Sequence, residues 1–599
     1  MIIPRRAGAL TAIVLLGAAC ASSGGVRPEE GLTTTSSSVP ASTPTTTLAP
    51  SAYGGTVVVA VGDGGAPRSL NPFLDGPDTA VLDLIAPAVF ARGYDIDPDT
   101  MALIPDVLTA IPSLDDGTVV ELGDGTIEVT ATVAPGARWA DGVPITGDDL
   151  AFTIGIAADP DLPIRTDLAA RYAGVIGDSL VSADRSLTFR MEAGTEYQLL
   201  FDLIIPRHAV AGSDFVADWN STMWVAGGPF QFASWTEGQT LELTRNDNYW
   251  RTGDGDAALP FLDRVIFRFY EPGLDPDPRI ADGLAAGDVD VVTLSGDGGT
   301  WREALSGIDG VEIRSRAGSS WDFLSFQFGP ANRNAASLNR HLEFRRAVAH
   351  AIDRSPLAAG RGTAPLTSAL APYGARYTAT PWDRYPYDPT TSISLLADLG
   401  ERLGVDLSAG AGPPVVVTVP NDDAAAAALG GQVVTMLRGS GLDAQLQLED
   451  AAIFYGPTFD NGSWDVSVGR FTAGPGLARA VAFAEIFDPA GLPFVGFNFF
   501  RWGTIDSTVS GEEVDRYAAI IAELRTTVDL DEAGRLVEEA EAMLADQVVI
   551  IPLIVSDFTG IAFRPAQLAG PAPNSAEGAL WNVATWTRGL LPVGSGSDS

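Results

Sequence analysis

The sequence contains no lysine, and this absence excludes several kinds of site. All 37 basic side chains are arginine, and they face 76 acidic ones, which leaves a formal net charge of −39. A P-loop, a Schiff base to a pyridoxal cofactor and a Ser-x-x-Lys acylation site each need a lysine. A surface this acidic repels nucleic acid and anionic lipid, so we expect no nucleic-acid partner. A genome that avoids lysine codons is the simpler explanation of the absence, and the exclusions hold either way.

Cysteine and histidine are scarce too. Cys20 is the only cysteine, so no disulfide can form within the chain, and the histidines are His208, His341 and His350. Three scattered histidines give no evident zinc or nickel cluster. The Asp-Gly-rich turn at 253–256 lacks the spacing of a calcium loop. We therefore expect no bound metal and no cofactor.

The first twenty residues have the pattern of an export signal. Arg5 and Arg6 precede an apolar run at 7–19, which is too short to span a bilayer but has the length of a signal-peptide core. Residues 21–52 are rich in Ser, Thr and Pro and have almost no large apolar side chains, which predicts a tether without a core. We expect a signal peptide at 1–20 and a tether at 21–52.

Small residues directly before Cys20 resemble a bacterial lipobox. In a lipobox the cysteine is lipidated and becomes the mature N-terminus, so the resemblance implies a lipid anchor on Cys20. The sequence departs from the pattern at Gly17, which stands where leucine is usual. The alternative is that Cys20 merely lies near an ordinary cleavage site.

Apolar patterning beyond the tether predicts alternating strands and helices. The run Thr56–Val61 is apolar on both faces, as in a central strand covered on two sides. Further strands are predicted at 127–133, 241–244, 265–270 and 289–294, and helices at 342–352, 514–524 and 536–544. Thr146 and Asp149 have the spacing of a capping box that begins a helix. The alternation indicates an α/β architecture, and 46% hydrophobic residues suffice for large cores.

Six short motifs occur in a fixed order along the chain. They are residues 69–72, 138–152, 226–230 followed by 245–250, 286–290, 345–354 and 387–389. Examples are Leu70-Asn71-Pro72 in the first and Tyr387-Asp388-Pro389 in the last. Together they make residues 56–565 similar to the extracellular solute-binding proteins of family 5, which feed peptide, nickel and related ABC importers.

The resemblance implies the fold class and the division into domains. It implies an α/β, periplasmic-binding-protein-like clamp of class II with two lobes and an extra N-terminal subdomain. The expected units are lobe I at 53–95, 205–318 and 556–599, an inserted subdomain of lobe I at 96–204, and lobe II at 319–555. The ligand is expected in the cleft between the lobes, and closure about a hinge buries it.

The resemblance also implies a function. The chain is expected to be the substrate-binding component of an ABC importer, which captures a peptide or another polar organic solute and delivers it to a membrane permease without catalysis. It is expected to be an exported monomer, anchored by a lipid on Cys20 to the outer face of the cytoplasmic membrane, at the cell surface or in the periplasm. Two alternatives stay open, a lipoprotein that senses or buffers a ligand and a secreted hydrolase that uses two carboxylates.

The alignment with peptide binders of the family predicts one part of the binding site. Those proteins carry a tryptophan followed three residues later by an aspartate that pairs with the α-amino group of the peptide. The aligned positions here are Phe471 and Gly474, so the amino-group anchor is missing. Arg470 beside them favours a carboxylate, phosphate or polyhydroxyl group through its planar fork of donors. The alternative is that Arg470 pairs with a neighbouring acid.

Other binding residues are predicted by position. Pro77 and Asp78 fall where the first lobe of the family sends a loop towards the ligand, and Trp321 and Phe323 lie at the expected first crossover. Trp502 follows an unusually aromatic run. Flat aromatic faces suit sugars, aromatic groups and peptide side chains. For each aromatic residue the alternative is ordinary packing in a core.

Overall fold

The computed structural model describes most of the chain. The described residues are 53–62, 65–74, 76, 79–270, 276–294, 299–329, 336–359, 363–407, 410–493 and 496–589. The predicted signal peptide and tether, with Cys20, lie outside them, as do Pro77 and Asp78. Predictions on those residues stay predictions.

Strands occur in every part of the described chain. They are β1 Thr56–Val61, β2 Tyr94–Ile96, β3 Leu103–Pro105, β4 Val119–Glu121, β5 Thr126–Thr132, β6 Val181–Ser182, β7 Ser186–Glu192, β8 Phe230–Thr236, β9 Thr240–Arg245, β10 Arg264–Arg268, β11 Val291–Leu294, β12 Glu312–Ala317, β13 Ser320–Phe326, β14 Val415–Pro420, β15 Ala444–Glu449, β16 Val466–Thr472, β17 Ile550–Val555, β18 Phe558–Phe563, β19 Leu568–Ala569 and β20 Thr587–Arg588. The predicted strand Thr56–Val61 is confirmed with the same ends. The other four predicted strands are confirmed, with ends shifted by one or two residues.

Helices alternate with these strands. They are α1 Thr79–Val89, α2 Gly147–Ala157, α3 Thr166–Tyr172, α4 Arg207–Val210, α5 Pro278–Ala286, α6 Gly299–Leu305, α7 Ala336–Asn339, α8 Leu342–Ala351, α9 Arg354–Ala359, α10 Pro389–Leu403, α11 Ala424–Gly439, α12 Ala451–Ile453, α13 Phe459–Asn461, α14 Leu477–Glu485, α15 Glu512–Leu524 and α16 Leu530–Asp546. Short 3₁₀ turns lie at Gly177–Ser179, Glu196–Leu199, Asp254–Asp256, Ala371–Tyr373, Pro381–Arg384 and Val583–Thr585, and a π turn at Phe454–Thr458. Within the residues described here, no helix is both long and apolar enough to cross a membrane.

The predicted helices are confirmed, and α2 begins at its predicted capping box. α8 and α15 agree with the predicted ranges to within two residues, whereas α16 begins six residues before and ends two residues after the predicted range 536–544. Helix α2 begins at the predicted capping pair, because the Asp149 carboxylate accepts hydrogen bonds from the backbone N–H of Thr146 at 2.9 Å and from its hydroxyl at 3.1 Å. An acidic residue in the first turn also complements the helix dipole.

Lobe I is built around a seven-stranded sheet in the order β12-β18-β11-β1-β10-β9-β8. Strand β1 runs parallel to both of its neighbours, and the outer pairs are antiparallel. Val57 and Val59 of β1 are fully buried, which agrees with a central strand. The strand β18 comes from the end of the chain, yet it lies inside the sheet between β11 and β12.

A smaller four-stranded sheet is attached to lobe I. Its order is β4-β5-β7-β6, and all four strands fall within the range predicted for the inserted subdomain. Its buried residues Ile127 and Phe189 belong to the same hydrophobic core as Val57 of the large sheet. The subdomain and lobe I are therefore packed on one another through a continuous apolar interior.

Lobe II is built around a five-stranded sheet in the order β15-β14-β16-β13-β17. Strand β14 is parallel to β15 and β16, and β13 is antiparallel to β16 and β17. Its core takes residues from the sheet and from helices on its surface, such as Val348 of α8, Val433 of α11 and Leu536 of α16. Every strand of this sheet lies between residues 320 and 555.

The chain crosses between the lobes at two adjacent places. One crossing joins β12 to β13 through Gly318, and the other joins β17 to β18 through Asp557. The Gly318 N–H donates to the carbonyl of Asp557 at 3.0 Å, and the Ser320 N–H donates to its carboxylate at 2.9 Å. The Ser556 N–H donates to the Ser320 carbonyl at 2.9 Å. Two lobes joined at one hinge form the predicted α/β clamp, so the predicted fold class is confirmed.

Candidate binding cleft between the lobes

Three predicted binding residues meet where β13 and β16 lie side by side. Trp321 stands opposite Phe471 in the antiparallel register, and their ring centroids are 5.4 Å apart. Phe323 stands opposite Gly469, and its ring stacks on Phe471 with centroids 4.3 Å apart and an interplanar angle of 10°. Glycine is needed at 469 because a Cβ there would lie 2.6 Å from the Phe323 ring. The pairing of two strands thus assembles the cluster.

The three side chains differ in how much of their surface is exposed to solvent. Trp321 is 0% exposed and Phe323 is 3% exposed, whereas Phe471 is partly buried at the margin of the lobe II core. In this conformation the first two rings pack in the core and support Phe471 from behind. Part of the Phe471 side chain remains exposed to solvent, where a ligand could contact it. A ligand role for each of the three stays a prediction.

Trp502 lies elsewhere in lobe II. It is fully buried and packs edge to face on Tyr517, with ring centroids 5.1 Å apart. Its backbone carbonyl accepts a hydrogen bond from the buried Asn498 side chain at 2.9 Å. In this conformation Trp502 belongs to the core, and the structure does not bring it together with the cluster around Phe471.

Arg470 is paired with two acids of its own lobe. Its Nε donates to the buried carboxylate of Asp322 at 2.7 Å, and one terminal nitrogen donates to Asp423 at 3.2 Å. Asp322 stands opposite Arg470 in the strand register, which explains the pairing. The alternative given above, pairing with a neighbouring acid, describes Arg470 in this conformation.

A second arginine of the same segment, which the sequence reasoning missed, faces the other lobe. Arg479 lies in the first turn of α14, and the groups that act on it electrostatically include Tyr94, Asp167, Arg171 and Asp202 of lobe I and its subdomain. A signal was present in the sequence. Between Asp465 and Glu485 the chain has no acidic residue, although acids outnumber arginines about two to one overall, and this segment carries both arginines.

The charged groups of lobe I near Arg479 belong to a network of ion pairs that links the subdomain to α1. Arg171 of α3 pairs with Asp202 and with Asp167, the latter at 3.4 Å. Arg165 pairs with Asp167 at 3.1 Å and with Asp83 at 2.7 Å. Each of the three carboxylates therefore has a guanidinium partner on its own side of the cleft.

The two lobes also touch away from the crossings. The Ala375 N–H of lobe II donates to the Thr100 carbonyl of lobe I at 3.3 Å. The Tyr197 hydroxyl donates to the Val528 carbonyl at 3.3 Å. Facing surfaces of both lobes thus approach one another within hydrogen-bond distance.

The histidines have separate partners. His208 lies 2.8 Å from the Asp141 carboxylate, and His350 lies 2.9 Å from the Pro386 carbonyl. Among the residues that the structure describes, no group of three His, Cys, Asp or Glu is arranged to hold a metal ion.

Comparisons with known proteins identify the family that this chain resembles. A model of the bacterial extracellular solute-binding proteins, family 5 Middle, matches residues 111–483. The oligopeptide-binding protein AppA of Bacillus subtilis (strain 168) is 24% identical over 257 residues, which are 37% of this chain and 42% of that protein. A probable ABC transporter-binding protein of Deinococcus radiodurans is 24% identical over 301 residues, which are 45% of this chain and 49% of that protein. The chain thus spans about half the length of the curated relatives that it matches.

A solved structure extends the likeness of fold to nearly the whole chain. The periplasmic EDTA-binding protein EppA superposes with a TM-score of 0.67 at 21% sequence identity, covering 90% of this chain and 97% of that one. The family model alone covers more than half of the chain. The chain belongs to the bacterial extracellular solute-binding proteins of family 5.

Proposed function

We propose that the protein captures a peptide or another polar organic solute between its lobes and delivers it to the membrane subunits of an ABC importer. The observation that carries the proposal is the pair of adjacent crossings at Gly318 and Asp557, which joins the lobes at one hinge. A ligand held by both lobes makes all of its contacts only in the closed form, so binding shifts the open and closed populations towards closure. This function needs no bond to be broken.

The names of the relatives support the class of solute and the transporter. The B. subtilis relative is an oligopeptide-binding protein, and the D. radiodurans relative is a probable ABC transporter-binding protein. The structural neighbour binds EDTA, which carries several carboxylates. A polar organic solute is the class that includes all of these ligands.

The proposal is tested by identifying the solute that the protein retains. The full chain is incubated with an extract of spent medium and examined by native mass spectrometry, which identifies a retained solute by its mass. Small-angle scattering with and without that solute then reports whether the radius of gyration falls as the clamp closes. Turnover of the solute into products without any closing would contradict the proposal.

The membrane anchor is part of the same proposal, and it lies outside the described residues. Replacing Cys20 by serine removes the thiol that a lipid would modify, so we expect the Cys20→Ser protein to move from the membrane fraction to the soluble exported fraction. Fractionation of cells followed by immunoblotting measures this. Ser22→Ala, two residues away, is the matched control and should stay with the membrane. Retention of Cys20→Ser at the membrane would disprove the anchor.

A further inference from the structure

Among the residues that the structure describes, Arg479 is a cation between the lobes without a counterion. Throughout the described ranges, no hydrogen bond and no ion pair within 4.0 Å is made by its guanidinium. The side chain is partly buried, and its nitrogens are not among those sealed from solvent. An arginine with five unused donors that still reaches open space is available to a ligand.

The acids of lobe I near Arg479 are paired with other arginines. Asp202 and Asp167 pair with Arg171, and Asp167 also pairs with Arg165. These carboxylates are already held by guanidinium groups of their own lobe. One of those partners, Arg171, carries the same charge as Arg479 and lies near enough to repel it.

The charge of Arg479 is costly in this conformation. Burial and the neighbouring Arg171 both lower the pKa of Arg479, because each disfavours the charged form, and the nearby acids offset this only in part. An opposite charge placed within about 4–6 Å of such a group favours its charged form. An anionic group that enters the cleft would therefore be stabilised there.

The loop before α14 leaves room for Arg479 to lie along it. A Cβ at Gly474 would stand 2.9 Å from Cγ of Arg479 and 3.3 Å from its Nε, so a larger residue there would displace the side chain. Gly476 has a φ of +77°, and a Cβ there would approach Leu199 of the subdomain at 3.1 Å. The glycines thus bring this arginine and the opposite lobe close together.

We propose that Arg479 binds a carboxylate of the ligand between the lobes, so that the captured solute is a carboxylate-bearing organic anion or a peptide held through an acidic group. The inference rests on the proposed function and names the class of its solute. The planar guanidinium fork matches the two oxygens of a carboxylate in a bidentate pair. With Arg470 occupied by Asp322 and Asp423, Arg479 is the arginine of this segment that a ligand can pair.

The test uses three probes with the full chain. They are a pool of tripeptides without acidic side chains and with free C-terminal carboxyl groups, the same pool with amidated C-termini, and citrate as a carboxylate that is not a peptide. Native mass spectrometry ranks their retention, and isothermal titration gives the affinity for the probe retained. We expect the free-acid pool or citrate to be retained and the amidated pool to be lost, and which of the two is retained identifies the source of the carboxylate.

Substitutions then locate the carboxylate. We expect Arg479→Gln to weaken the retained probe about 10- to 100-fold, the range for a lost charge-assisted hydrogen bond. Arg479→Lys should lose less, since it keeps the charge but not the fork. The matched control is Arg535→Gln on the exposed face of α16, which should leave the affinity unchanged.

A measurement without ligand separates binding from a structural role. Because Arg479 has no hydrogen-bond or ion-pair partner in the part of the chain that the structure describes, we expect Arg479→Gln to keep or raise the melting temperature, and a marked fall would overturn the inference. Equal retention of the amidated pool, or equal affinity of Arg479→Gln, would also overturn it while leaving the proposed function intact. If neither the probes nor any solute of a spent-medium extract is retained, the proposed function fails and the inference fails with it.

Discussion

Glu541 is a buried carboxylate that holds a loop against helix α16. It is 2% exposed, and its Oε1 accepts hydrogen bonds from the Ser368 hydroxyl at 2.7 Å and from the N–H groups of Ala369 at 2.6 Å and Leu370 at 3.1 Å. These bonds favour the ionised form, but burial outweighs them and raises the pKa of Glu541 to about 7. The folded protein therefore holds this proton more tightly than the unfolded chain does.

That difference makes stability depend on pH with a definite sign. The contribution of Glu541 is largest below the unfolded pKa near 4.5 and is lost as the pH rises through about 7, by about 3 kcal/mol at most. Glutamine at 541 can keep the accepting oxygen but does not titrate. We expect thermal melts between pH 5 and pH 8 to fall less for Glu541→Gln than for the wild type. The exposed Glu523→Gln is the control, and parallel curves for Glu541→Gln and the wild type would contradict the assignment.

At the residue scale, local chemistry was predictable and distant partners were not. Phe471 and Trp321 were singled out from sequence position, and the strands bring them into contact. The partner of Arg470 was not predicted, because Asp322 is 148 residues away and becomes its neighbour only through the β13–β16 register. Arg479 was missed for a similar reason, since its place between the lobes is a tertiary contact.

The hinge depends on close approach at one glycine. The Cβ of any other residue at 318 would collide with the Asp557 carboxylate, which accepts the Ser320 N–H. We expect Gly318→Ala to push this carboxylate aside and to lower the free energy of unfolding by about 1–3 kcal/mol, the usual cost of leaving a buried polar group unsatisfied. Denaturant titration measures the change.

A second glycine provides the control for the hinge substitution. Gly431 lies inside α11, and a Cβ there would meet nothing within 4 Å. Alanine is a better helix former than glycine by about 1 kcal/mol, so Gly431→Ala should stabilise the protein. If Gly318→Ala also stabilised the protein, the proposed crowding at the hinge would be wrong.

Elements were predictable wherever a local pattern determines them. The strand β1 and the start of α2 followed from an apolar run and a capping pair. The order of strands in the sheets was not predictable in this way. No pattern in β18 indicates that it pairs with both β11 and β12, because those strands lie more than 240 residues earlier in the sequence.

At the scale of the whole molecule, the excess of acidic side chains destabilises the folded protein through repulsion between carboxylates. With 76 acidic and 37 basic side chains, most arginines can be paired while many carboxylates have no cation to pair with. Salt screens repulsion between exposed charges over about 10 Å at 0.1 M. We expect the melting temperature to rise between 10 mM and 300 mM NaCl, and equally in KCl if screening is the cause. A fall in melting temperature would mean that lost ion pairs outweigh relieved repulsion.

The two-lobed plan itself came from the ordered motifs and not from composition. Lysine-free, acidic sequences are compatible with many folds, whereas the order of the motifs indicated one family. The structure adds what neither could supply, namely which polar groups of the two lobes face each other.

The position of β18 has a consequence for the order in which the molecule can form. The ribosome and the export machinery release a chain starting from its N-terminus. All of lobe II therefore emerges before β18, residues 558–563, becomes available. Until then β11 and β12 each lack a neighbour that belongs inside the sheet of lobe I, and unpaired strand edges invite association with other chains. The lobe that begins first is therefore the one that finishes last.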